Sequence, residues 1–187
     1  TGAERMLNFS FENKLQRKYS PLYLKRIPPG WQEETARRLE PLVAGSLVEI
    51  FRSVQAGNVA EFCLQMYQRM GLLDGMQIVR SSDPEVRNAA CEIPDFFVDL
   101  PYEGEIVRAR KAANGFVLHE GGNAYIELPL CDFDKSQVSP TRDTRLRWMQ
   151  SVIRCTHYVC GAGEQAYLNL DDAPGVEFVR RDHIDRS

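Results

Sequence analysis

The sequence predicts an α+β protein with its helices gathered towards the N-terminal side. Three observations carry that prediction. Apolar residues recur at three- and four-residue steps between 31 and 72. Short runs rich in β-branched and aromatic residues, separated by turn signals, follow from 76. A second helical period then returns near 140–157. The 187 residues suit one domain of ordinary size. The predicted organisation is an N-terminal arm over 1–30, a helical region over 31–75, an α+β region over 76–180 packed as one unit with it, and a charged tail over 181–187.

The arm interleaves Phe9, Phe11, Tyr19, Leu22, Tyr23 and Leu24 with Lys14, Arg17, Lys18, Lys25 and Arg26, without a clean period. That pattern expects packing on its own domain or on a partner. Ile27-Pro28-Pro29-Gly30 then punctuates the chain. Gln32 to Glu40 lacks strand formers and is rich in Glu and Arg. Pro41 cannot sit inside a regular helix, so it is expected in the first turn of a new one. Leu42, Val43, Leu47, Ile50, Phe51 and Val54 then form one apolar face. Val59, Phe62, Cys63, Met66, Tyr67 and Met70 form another. With Gly57-Asn58 between them and Gly71 as a C-cap, two antiparallel helices in a hairpin follow.

Beyond Gly75, strands are expected at Gln77–Arg80, Phe96–Leu100, Glu105–Ala109, Phe116–His119 and Ala124–Leu128. Asp83-Pro84, Pro101, Asn114-Gly115 and Gly121-Gly122-Asn123 separate them. Asn114-Gly115 is a strong hairpin signal, so the strands should form an antiparallel meander. Ser139-Pro140 reads as an N-cap followed by proline at the first helical position. The helix it opens carries Leu146, Met149, Val152, Ile153 and Thr156 on one face, and Gly161 and Gly163 should end it. Ala166–Leu170 and Val176–Arg180 should form a last strand pair around Ala173-Pro174-Gly175.

The net charge of −3 argues against a surface devoted to nucleic acid. No apolar run approaches the roughly 20 residues needed to cross a bilayer, and the first residues lack the apolar core of a secretory signal. The five cysteines, Cys63, Cys91, Cys131, Cys155 and Cys160, are an odd number, several with apolar neighbours. Free thiols in a reducing, cytoplasmic setting are the simplest expectation.

Chemistry-bearing residues are sparse. Cys155, His157 and Cys160 lie close in sequence, and Cys131 would complete a set of zinc-type ligands. A second closely spaced cysteine pair is missing, so no metal and no cofactor is expected. An enzyme would have to assemble a site from dispersed residues, and Cys155, His157, His119 and Asp132 are the candidates. His119-Glu120-Gly121-Gly122-Asn123 reads as a hairpin turn. Asp132-Phe133-Asp134 and Asp171-Asp172 read as solvated acidic loops, without the ligand offsets of a calcium loop. Arg142, Arg145, Arg147 and Arg154 give the 140–157 helix a basic face with Trp148 among them, a candidate surface for an anion or nucleic acid.

Residues 27–70 resemble the RIIα-type dimerization–docking domain of cyclic-AMP-dependent kinase regulatory subunits. The resemblance rests on Ile27-Pro28-Pro29-Gly30, Glu49-Ile50-Phe51-Arg52, Gln55, Asn58-Val59, Phe62-Cys63 and Tyr67. It implies that two helical hairpins pair into a four-helix bundle, a homodimer that grips an amphipathic helix of a protein partner. Carried over, Ile27, Val59, Phe62 and Met66 would lie near the docking groove. Pro41, a longer first helical section and Ala56 in place of the family's proline depart from the pattern. The expected function is therefore a non-enzymatic interaction or scaffold module that self-associates or docks a partner helix. The alternatives are the dispersed-site enzyme and the anion or nucleic-acid binder.

Overall fold

The computed structural model describes residues 20–180 apart from Gly122 and Tyr167. The arm up to residue 19 and the tail from Arg181, with His183, lie outside the described residues. The fold is α+β. A five-stranded antiparallel sheet and a two-stranded sheet accompany the helices. The chain divides into two compact units. Among the described residues, one holds 20–78 with Pro101–Val107 and Glu120–Ala124; the other holds Val79–Leu100, Arg108–His119 and 125–180.

In the first unit three helices share one core: α1 (Trp31–Leu39), α2 (Gly45–Ser53) and α3 (Val59–Arg69). Pro41 does not open a helix. It sits in the turn after α1, where the amides of Leu42 and Val43 both bond the Leu39 carbonyl, and α2 begins only at Gly45. Asn58 caps α3 by accepting from the Glu61 amide at 2.9 Å. At the other end of α3, Gly71 takes a positive φ of 71° that suits glycine. The Gly71 amide bonds the Gln68 carbonyl and the Leu72 amide bonds the Tyr67 carbonyl, which together form a Schellman cap. The described end of the arm packs on this same unit. Val59 and Ala60 donate amides to the carbonyls of Lys25 and Leu22, and Arg26 bridges Asn58.

The main sheet runs β4-β3-β2-β1-β5, with β1 (Phe96–Tyr102), β2 (Glu105–Ala112), β3 (Gly115–Gly121), β4 (Ala124–Pro129) and β5 (Val138–Pro140). Alternation places Val107, Ala109, Phe116 and Leu118 in the interior. The β2–β3 register pairs Ala112 with Gly115, so Ala113-Asn114 makes the turn and Gly115 already belongs to the strand. There a Cβ would overlap the backbone oxygen of Leu128, so only glycine permits this approach of β4.

Three further expectations are corrected. Gln77–Arg80 forms no strand. The chain instead turns at Arg80–Asp83 into α4 (Pro84–Ala89), capped by the Asp83 carboxylate and opened by Pro84. Ser139-Pro140 does not begin a helix. It lies in β5, whose edge position tolerates proline, while α5 spans Arg145–Val152 after Thr144. The partner of the last strand β7 (Glu177–Arg180) is β6 (His157–Cys160), paired in parallel, rather than Ala166–Leu170. Parallel pairing needs a crossover, which the short helix α6 (Ala162–Gln165) and the 3-10 turn Leu170–Asp172 supply.

Candidate functional site

The apolar stripes of α2 and α3 are absorbed largely by α1. Trp31, Phe51 and Phe62 meet as a ring trio with centroids 5.1 to 5.7 Å apart. Ala36, Val48 and Val54 close the cluster, with Ile27 and Met66 packed at its margin. Gln32 Nε2 donates to the carbonyls of Phe51, Arg52 and Val54 and so tethers the end of α2 to α1. Arg52 spans Glu33 and Glu40 on the exposed side, and those hydrogen bonds raise its pKa while lowering that of Glu33. Of the four residues expected near a docking groove, Val59 and Phe62 are therefore interior, and Ile27 and Met66 are partly covered.

What the unit leaves outside is the continuation of α3. Tyr67, Met70, Leu72 and Met76 are 51, 37, 53 and 64% exposed. The Schellman cap holds Tyr67 and Leu72 at one end of the helix, and a turn closed by the Met76 amide on the Leu73 carbonyl follows. Helical periodicity up to Met70 marks only part of this strip. Leu72 and Met76 lie past the helix end, where no period applies, and only their apolar character beside Gly71 and Gly75 could have signalled them.

The residues considered for catalysis each sit in a different setting. The Cys155 thiol donates to Gln150 Oε1 at 3.0 Å. His157 lies between the Thr156 hydroxyl and Glu177, on an exposed strand edge. His119 stacks on Tyr125 at 4.8 Å. Asp132 is exposed in the loop after β4, where neighbouring Asp134 caps the 3-10 turn Lys135–Gln137 with a capping box. Asp171 and Asp172 belong to the 3-10 turn after Asn169. Among the described residues no group of three or more His, Cys, Asp or Glu side chains is placed to hold a metal ion. All five cysteines are free thiols; Cys160 is buried, and burial raises the pKa of Cys63.

The arginines of α5 and its flanks diverge. Arg142 pairs with its neighbour Asp143, while Arg147 and Arg154 point to solvent. Arg145 turns inward and bonds Glu164 at 2.7 Å, and Glu164 also accepts from the Tyr158 hydroxyl. Burial, partly offset by Arg145, raises the pKa of that tyrosine. Sequence spacing gave no sign of the polar centre of this unit. There Asp99 on β1 accepts from Arg87 of α4 and, through both carboxylate oxygens, from Arg108 of β2. Two cavities flank the buried indole of Trp148. One, of about 360 Å³, carries Cys91, Phe133 and Lys135; the other, of about 340 Å³, carries Arg108 and Arg145.

No family model, no curated protein and no solved structure matches the chain. No helix among the described residues is long and apolar enough to cross a membrane.

Proposed function

We propose that this chain is a non-enzymatic protein–protein interaction module, and that two copies associate through the apolar strip at the end of α3. The observation that carries the reading is the exposure of Tyr67, Met70, Leu72 and Met76 within ten residues of chain. Single exposed apolar residues are ordinary, whereas a concentration of large ones marks an interaction surface. The resemblance to a docking domain points to the same helical region and to pairing between copies. The contact residues differ from those the resemblance implies, because Val59 and Phe62 are spent on the unit's own core.

Sedimentation velocity from about 1 to 100 µM tests this, a range that covers weak dimers. The wild type should shift from monomer to dimer as concentration rises. A variant carrying Tyr67→Ser, Leu72→Ser and Met76→Ser should stay monomeric with its circular dichroism unchanged, since exposed positions contribute little to folding. A wild type that is monomeric throughout the range, or a variant that dimerises equally, defeats the proposal.

A further inference from the structure

The cavity of about 340 Å³ in the second unit has a mixed lining. Its polar part includes two guanidiniums, Arg108 from β2 and Arg145 from α5, with Ser81 and Ser139. Its apolar part includes Val86, Trp148, Met149 and Ile153, and Arg145, Trp148 and Met149 follow one another at helical steps along α5. Among the described residues no carboxylate lines it. The acids that hold the two arginines, Asp99 and Glu164, are not part of the wall. Arg108 spends Nε and Nη2 on Asp99, and its Nη1 bonds no described residue. Asp99 is shared with Arg87, so that cluster of three residues carries one more positive than negative charge.

A pocket of this size lies within the range that small ligands occupy. Arginine is the side chain suited to grip a carboxylate with two parallel hydrogen bonds. Each guanidinium is already fixed by an acid behind it, so little side-chain freedom remains to be lost on binding. The apolar part of the lining offers nothing to a bare inorganic anion but would cover a hydrocarbon body.

We infer that this cavity binds a small amphiphilic monocarboxylate, its head on Arg108 and Arg145 and its apolar body along Met149, Ile153 and Trp148. The site goes beyond the interaction reading and does not rest on it, because it lies wholly within the second unit.

Calorimetric titration of the whole chain with octanoate, octan-1-ol and acetate tests the inference. Octanoate should bind saturably. Octan-1-ol, lacking the charge, should bind at least about tenfold more weakly, the loss expected for a hydrogen bond to a charged group; acetate, lacking the body, should lose at least about tenfold through the apolar surface it cannot bury. Ile153 is 44% exposed, so Ile153→Asp should fold normally while placing a negative charge in the cavity lining. That variant should lose at least about tenfold in octanoate affinity. It should also lose the rise in melting temperature that octanoate gives the wild type. Arg145→Gln should weaken octanoate and leave octan-1-ol unchanged. Equal binding of octanoate and octan-1-ol, equal binding of octanoate and acetate, wild-type affinity in Ile153→Asp, or no heat with octanoate overturns the inference.

Discussion

Arg87 and Asp99 meet at 3.0 Å with their side chains only 3 and 5% exposed, which joins α4 to strand β1 through a buried ion pair. Arg87 also donates to the carbonyls of Ser81 and Ser136, so one guanidinium fixes three separate segments. Charges removed from water survive only when matched, and stripping one partner leaves the other uncompensated. Asp99→Ala would strand Arg87 and Arg108 together. It should cost about 3–5 kcal/mol in urea unfolding. A change within the error of the measurement would show that the cluster is not held as the distances indicate.

Phe62 and Leu72 separate core from surface within one helical unit. Phe62→Ala removes one ring of the trio with Trp31 and Phe51 and should destabilise by about 3–5 kcal/mol. Leu72→Ser changes an exposed side chain and should stay within about 0.5 kcal/mol. Thermal unfolding of the two variants side by side checks the ordering, and the reverse order would contradict the packing described.

Asp95 supplies a pH-dependent element. It bonds Arg110 through both oxygens and accepts from the Thr141 hydroxyl, and the Arg110 hydrogen bond, opposed by partial burial, lowers its pKa. A carboxylate whose pKa is lowered by folding stabilises the fold above its unfolded value. That stability disappears as pH falls through the folded value. Wild type should therefore exceed Asp95→Asn in melting temperature at neutral pH, and the gap should close in acid. Scans between about pH 2 and pH 7 decide it; a gap that is constant with pH would remove Asp95 from the account.

Gly115 is a steric requirement of the sheet. Gly115→Ala would press a methyl group against the Leu128 carbonyl and force β3 and β4 apart, a cost of about 1–3 kcal/mol. Denaturant unfolding of this variant beside Gly104→Ala separates close approach from backbone preference. Gly104 also has a positive φ, but its Cβ position is open. A Gly115→Ala loss no larger than that of Gly104→Ala would argue against the steric reading.

The sequence by itself determined the features that depend on neighbours along the chain. The period of Phe51 and Val54 against Val59 and Phe62 set the apolar faces of α2 and α3, although Val48, the most buried residue of α2, lies outside the stripe that the period marks. Gly71 set the cap, and Asn114-Gly115 between two runs of strand formers set the hairpin of the meander. Asp83-Pro84 reads as a turn, and only the structure made it the cap and first turn of α4. Tertiary structure alone decided what depends on distant partners. It brought β6 beside β7 in parallel, paired Ser139 with Phe97, and placed Asp99 between Arg87 and Arg108. It also decided that α1 covers the hairpin while the strip from Tyr67 to Met76 stays exposed. Local pattern fixes which face of an element is apolar, but which other element covers that face depends on contacts between residues far apart in sequence, and no local periodicity encodes them.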